Sequence, residues 1–304
     1  MEVGLNVVAA YGAGAAVNLA AGLLPSPVRG ASRALRAAAV AASACALAIP
    51  FFLVAPPVFR AAQAAVLGTL FCRVVEIARA PWCYARRERV ARMLLVHETR
   101  LMTPAPRSLP VGALAAGTIF FGLGIGVFDA SSRLAPPTLP FAIAGWPRWL
   151  TAAAGSYLLI EGLSRILVAA VRPFGWKHEA VQRSPVLSRT LAEFWGVRWN
   201  RVVGRLLRRN FFEPLARRGA PMLGVLLSFA VSGLLHFYLV LPAAGLLPAI
   251  WMGSFFAAHG MLCLVEARLA VRRWPAVAGH AFVVAAFVAT IPLFTEPLLR
   301  CFMR

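Results

Sequence analysis

Five histidines are present in the 304 residues, and three of them, His236, His259 and His280, fall within long apolar runs; His97 and His178 do not. A neutral imidazole in a low-dielectric setting is suited to proton abstraction, because an unperturbed pKa of about 6.5 leaves its base form populated near neutrality. His236, in VSGLLHFY, lies deepest in its run and follows Ser232 and Gly233, small residues that leave room beside it. His280 stands near the start of its run, within reach of the interface. A lone buried histidine is more often a packed, hydrogen-bonded group than a catalyst, but His236 rises above that as the one histidine beside the Gly233 gap and one span after the Asn200 stretch. Asn200, in FWGVRWN, is an uncharged amide inside a basic and aromatic stretch. A base of this kind activates a hydroxyl, and a nearby amide can donate to a developing oxyanion, a contribution of roughly 3 kcal/mol per donor. The chain has no G-x-S-x-G elbow, no P-loop, no H-E-x-x-H pair and no paired Asp clusters for magnesium diphosphate, so a prenyl-diphosphate transferase is disfavoured.

The stretch that must carry Asn200 runs over residues 190–215, TLAEFWGVRWNRVVGRLLRRNFFEPL. Thr190 and Glu193 form a T-x-x-E capping box, which predicts a helix beginning there. At about 100° per residue, Trp195, Trp199, Val202, Val203, Leu206 and Leu207 share one face, and Arg198, Arg201, Arg205 and Arg208 gather opposite. The pattern predicts one amphipathic helix in a membrane interface, with its tryptophans at headgroup depth and its arginines toward water or phosphate. Asn200 falls at the edge of the apolar face beside Val203 and Leu207, where lipid anchoring calls for no amide.

Composition places the whole chain in a bilayer. Hydrophobic residues make up 60%, charged residues 14%, and the mean hydropathy is +0.74, against a charged share of about 25% in soluble domains. The formal charge of +20 is carried by arginine, Lys177 being the sole lysine. A nucleic-acid partner is disfavoured because the arginines sit between apolar spans. Eight spans are expected, near 4–24, 37–55, 58–77, 109–128, 149–171, 220–240, 246–265 and 276–298, with a tight turn at 242–245. The first has no positive n-region, so it reads as a retained span and not a signal peptide. Basic residues crowd the loops after spans one, three, five and seven, which predicts those loops on the cytoplasmic side and both termini outside. Arg73 and Glu76 in span three, and Glu161 and Arg165 in span five, are expected to pair inside the bundle. Gly122, Gly124 and Gly126 should let a neighbouring backbone approach. Cys45, Cys72, Cys83, Cys263 and Cys301 are scattered, so neither a disulfide framework nor a metal site is expected. The arginine and alanine excess points to a GC-rich bacterial genome and hence the bacterial cytoplasmic membrane, or the endoplasmic reticulum in a eukaryote.

Several ordered motifs now converge. FWGVRWN at 194–200, the basic stretch ending at Phe212–Pro214, VSGLLH at 231–236, FFAAHG from Phe255 with Glu266 after it, and TEPLLR at 295–300 together resemble the wax synthase branch of the membrane-bound O-acyltransferases. The resemblance is strongest in the C-terminal third. It implies an all-α polytopic membrane enzyme of about eight transmembrane helices with interfacial helices, a single domain over 1–304 with its motif-bearing core at 187–304. The implied activity is transfer of a fatty acyl group from acyl-CoA, a co-substrate, to a lipophilic alcohol, with no further cofactor and membrane lipid as the surroundings. By the matching positions His236 would be the general base and Asn200 the polar partner. Trp195, Arg198 and Trp199 would shape the coenzyme entrance, Arg201, Arg205 and the other basic loop residues would hold its phosphates, and His259 would be a secondary or structural histidine. Val197 and Phe237 depart from the residues common in relatives, which leaves the alcohol open. The other readings are a short-chain, sterol or glyceride transferase of the same fold, and a non-catalytic transporter or scaffold. Counted from its span's start, His236 lies about 24 Å deep, so the Asn200 segment is expected to dip into the membrane or meet a deep tunnel.

Overall fold

The computed structural model describes residues 2–23, 33–79, 102–134 and 143–302. Most of the basic segment between 79 and 107, the proline-rich link at 136–140, His97 and Cys83 lie outside them. The long helices are α1 (Glu2–Leu23), α2 (Arg33–Ala46), α3 (Pro57–Arg79), α4 (Val111–Arg133) and α5 (Trp146–Ala170). After them come the short α6 (Arg201–Leu207), then α7 (Pro221–Ala244), α8 (Leu246–Arg268) and α9 (Ala276–Phe302). Seven helical segments among the described residues are long and apolar enough to cross a membrane. The remaining expected span coincides with α1, a helix of 22 residues. The chain is an integral, multi-pass membrane protein. Proline opens α3 and α7 and stands in the first turn of α5, positions whose N–H groups have no intrahelical acceptor to lose.

Helix α7 continues through Pro242, where a turn was expected, and only Gly245, at φ 87°, separates it from α8. A left-handed residue without a Cβ reverses the chain in one step there. A short antiparallel pair, β1 (Met102–Pro104) with β2 (Trp176–His178), was not foreseen. It ties the residues just before α4 to those just after α5.

The described residues fall into two compact units. The first takes in those within Met1–Thr99, Tyr238–Ala249 and Arg300–Arg304. Its core packs Ala39, Val74 and Ile77 against Leu19, Val40 and Leu70. Arg73 and Glu76 pair at 2.9 Å with both side chains 6% exposed, as expected of charges in a span. Asn18 and Ser43 hydrogen-bond to each other, and the Asn18 amide also donates to the Gly14 carbonyl at 2.8 Å. Gln63, on α3, is fully buried, and among the described residues neither its Oε1 nor its Nε2 has a hydrogen-bond partner. A buried, unpaired amide destabilises by roughly 1–3 kcal/mol. Gln63→Leu, close in volume and without polar atoms, is therefore expected to raise the thermal midpoint in detergent; an unchanged or lower midpoint would show that the amide is satisfied in the membrane.

The second unit takes in the described residues within Arg100–Phe237 and Ile250–Leu299. Here α4 and α5 pack along their length. A Cβ added at Gly162 would lie 2.4 Å from the Phe121 nitrogen, so the two backbones touch where α5 has glycine. Gly124 takes part in the same contact, but among the described residues a Cβ added at Gly122 or Gly126 would meet nothing within 4 Å. The expectation for those two fails because residues two apart on a helix point to nearly opposite faces. Glu161 and Arg165 pair at 2.7 Å, but the Arg165 side chain is 46% exposed and lies over the Phe120 ring, so only the carboxylate is internal. A further buried pair went unanticipated: Arg148 on α5 meets Glu296 on α9 at 3.4 Å and donates to the Leu134 carbonyl at the end of α4 at 2.8 Å. The Trp149 indole donates to the same carboxylate at 3.0 Å, so three helices close on one satisfied charge.

Candidate active site

The stretch 190–215 is not one helix. Thr190 is extended and its hydroxyl accepts the Glu193 N–H at 2.9 Å, as the capping box predicts. Glu193 reaches back to the Arg189 N–H at 2.8 Å, one residue earlier than in the standard box. A single α-turn, Leu191–Glu193, then widens into a π-helix over Phe194–Arg198, closed by the Trp199 N–H on the Phe194 carbonyl at 2.8 Å. Trp199 is extended and Asn200 is left-handed at φ 35°, which ends the first segment and starts α6. Asparagine is among the few residues that adopt this conformation readily, and it is a preferred N-cap. Its Oδ1 accepts the Val203 N–H at 3.3 Å, and its own N–H donates to Gln182 at 2.9 Å. The continuous helical projection missed this break, although an asparagine just ahead of the R-V-V-G-R-L-L run was a legible capping signal.

The break redistributes the arginines. Arg198 donates to Glu193 at 2.7 Å and to the carbonyls of Arg183 and Ser184, which pins the preceding loop. Arg201 bonds Glu179 at 2.5 Å and the Ala180 carbonyl at 3.0 Å. Arg205 stands 3.7 Å from Glu179 with its side chain 45% exposed, so of the three it presents most charge to the surroundings. Arg201, by its hydrogen bond, holds the Glu179 carboxyl below the ordinary carboxylate range. For Glu193, burial alone would raise the pKa, but the Arg189 N–H and the Arg198 guanidinium outweigh it and the group is held low. The stability Glu193 contributes is complete above the ordinary value of 4.5 and is lost as pH falls through the lower folded value. Glu193→Gln should thus be less thermally stable than the parent above pH 4.5, with the gap closing on acidification. A gap that is constant with pH would contradict the clamp.

The tryptophans face inward. Trp199 stacks on Phe194, with ring centroids 5.5 Å apart, and on Tyr157 of α5 at 6.4 Å. Trp195 lies among Phe229, Phe255, Phe256 and Phe287, and its indole N–H donates to Nδ1 of His259 at 3.1 Å. Because indole nitrogen only donates, Nδ1 of His259 carries no proton, and the proton on Nε2 goes to the Thr290 hydroxyl at 3.0 Å. Thr290 in turn donates to the Ala286 carbonyl at 2.8 Å. Both nitrogens of this fully buried histidine are committed, an arrangement that supports a structural role.

His236 holds the opposite tautomer. Its Nδ1 lies 2.8 Å from the Ser232 carbonyl, one turn earlier on α7. A carbonyl only accepts, so Nδ1 bears the proton and Nε2 carries the free lone pair. The ring lies against Phe256 of α8, centroids 4.1 Å apart. The room beside Gly233 is used by α8 itself: a Cβ there would meet the Gly253 carbonyl at 3.2 Å and Phe256 Cβ at 3.3 Å. Glycine thus brings α8 close enough for Phe256 to support the imidazole. Among the described residues no hydrogen bond joins His236 to Asn200. They are linked by ring contacts through Phe256, Trp195, Phe194 and Trp199, at 4.1, 5.8, 5.0 and 5.5 Å. No group of three metal-ligating side chains occurs among the described residues.

Residues 178–258, which include both Asn200 and His236, match the family described as membrane bound O-acyl transferase. A probable long-chain-alcohol O-fatty-acyltransferase 2 of Arabidopsis thaliana is 34% identical over 143 residues, 41% of this chain and 40% of the relative. A second Arabidopsis thaliana protein, probable long-chain-alcohol O-fatty-acyltransferase 1, is 29% identical over 218 residues, 64% of this chain and 59% of its own length. An acyl-CoA–sterol O-acyltransferase 1 of the same plant is 30% identical over 118 residues, 36% of this chain and 34% of the relative. These three matches span from about a third to three fifths of the relatives' lengths. By these matches, and by the motifs at Asn200 and His236, the chain resembles the wax synthase branch of the membrane-bound O-acyltransferases.

Proposed function

We propose that this protein is an O-acyltransferase that moves a fatty acyl group from acyl-CoA to a lipophilic alcohol within the membrane. The observation that carries the reading is the tautomer of His236: with Nδ1–H committed to the Ser232 carbonyl, Nε2 is the one nitrogen able to take a proton. In the reaction Nε2 removes the proton of the alcohol hydroxyl, and the oxygen adds to the thioester carbonyl. The oxyanion of the tetrahedral intermediate accepts a hydrogen bond from Nδ2 of Asn200, whose Oδ1 is already occupied by the cap. Collapse breaks the carbon–sulfur bond, and the departing thiolate takes the proton back from His236. The exposed Arg205 meets the coenzyme phosphates.

A sterol acceptor is the second reading, favoured by the relative named for that activity. The test is release of free thiol by the purified protein in lipid, with acyl thioesters of graded length offered against a long-chain alcohol or a sterol. Thiol release that depends on long-chain donor and long-chain alcohol is the expected result. Preference for acetyl-CoA would move the protein to a short-chain class, and no thiol release with any acceptor would remove the enzyme reading.

A further inference from the structure

The residue that seats the Asn200 segment on α8 has no part in the chemistry above. Glu266 lies near the end of α8 and is buried, and its two carboxylate oxygens accept the backbone N–H groups of Leu191, in a short contact, and Ala192, at 3.1 Å. No ion pair to Glu266 occurs among the described residues, so its charge is answered by these two amides. Seven residues earlier on the same helix, His259 accepts the indole N–H of Trp195. Seven residues are two helical turns, about 10 Å, and residues 192 and 195 are about one turn apart on the docked segment. The segment is therefore held to one face of α8 at two separated points. Phe256, one turn before His259, touches both Trp195 and the His236 ring. From the other side, Nδ1 of His280 on α9 donates to the Ser188 carbonyl at 3.0 Å. Leu191, between these attachments, is fully buried against Cys263, Val283 and Ala286.

We propose that Glu266 is a positioning residue for acyl transfer: by gripping the amides of Leu191 and Ala192 it fixes where Trp195 and Asn200 stand relative to the α8 ring stack that supports His236. The proposal rests on the acyltransferase reading. Nothing at Glu266 touches the reacting atoms, so its loss acts through geometry. Glu266→Gln is the informative change, because the side chain keeps its shape and one acceptor oxygen but turns an NH₂ toward a backbone N–H, and one of the two bonds is lost.

The experiment reads two quantities on the full-length protein in lipid. Hydrogen–deuterium exchange of the peptide over 188–200 should be roughly tenfold faster in Glu266→Gln, reporting the loosened seat. The kcat, corrected for the folded fraction, should fall roughly ten- to hundredfold, the scale of a small misplacement of a reacting group, with KM for both substrates nearly unchanged. Glu266→Asp, which keeps the charge, should lie between the two and serves if the Gln variant does not fold. Unchanged exchange would overturn the seat. Faster exchange with parental kcat, or a loss that disappears on correction for folded protein, would overturn the positioning role. His236→Ala run alongside separates the two readings: if it remains active, the acyl-transfer mechanism falls whatever Glu266 does, whereas an inactive His236→Ala with a fully active Glu266→Gln removes the positioning proposal alone.

Discussion

His236→Ala is expected to lower ester formation by roughly 10²–10⁴-fold, the range that a positioned general base contributes. The size follows from the site's isolation. Nε2 carries the free lone pair on this ring, and both nitrogens of His259, the other histidine of the same aromatic cluster, are already engaged. Among the described residues, the neighbouring imidazole of that cluster therefore cannot take over. The substitution removes a ring that packs on Phe256 but, among the described residues, cuts no hydrogen bond between helices, since the Nδ1 bond stays within α7. KM for the acyl donor should change little, because the lost interaction is made in the transition state. The measurement is thiol release and ester yield from purified protein, with thermal melting to confirm the fold. An alanine variant within threefold of the parent rate would take His236 out of the chemistry.

Asn200→Asp should be the second largest effect, a loss of roughly 10²–10³-fold in kcat, the scale for removing one oxyanion donor. This substitution separates two duties of one side chain. Aspartate tolerates the left-handed backbone and keeps an oxygen to cap the Val203 N–H, so α6 should still begin at Arg201. What is lost is the Nδ2 donor, and the added negative charge opposes an oxyanion. Asn200→Gly is the complementary variant: glycine accepts φ 35° and is a tolerable N-cap, yet supplies no donor. Both variants should fold and both should be slow. Asn200→Ala is less informative, because it adds left-handed strain of about 1–2 kcal/mol to the loss of the cap. An aspartate variant with near-parental kcat would reduce Asn200 to a helix cap.

The sequence by itself determined the membrane class and the places of the seven described apolar spans. Arg73–Glu76 and Glu161–Arg165 were legible as pairs because three- and four-residue spacing on a helix places side chains together whatever surrounds them. The long helices were legible because a bilayer demands about 20 apolar residues per crossing. His236 stood out as the histidine deepest in its span, and Asn200 as an amide among arginines. What the tertiary structure decided is how those residues are held. The interruption at Trp199–Asn200 combines a local π-turn with a bond to Gln182 and the ring of Tyr157, the last two being contacts between residues distant in sequence. The opposite tautomers of His236 and His259 follow from one accepting a neighbour's indole N–H and the other facing its own helix's carbonyl. Arg148 with Glu296, and Glu266 with the amides of Leu191 and Ala192, join partners 148 and about 75 residues apart. Local periodicity carries no information at that separation, because only the packing of helices against one another brings such groups within hydrogen-bonding reach.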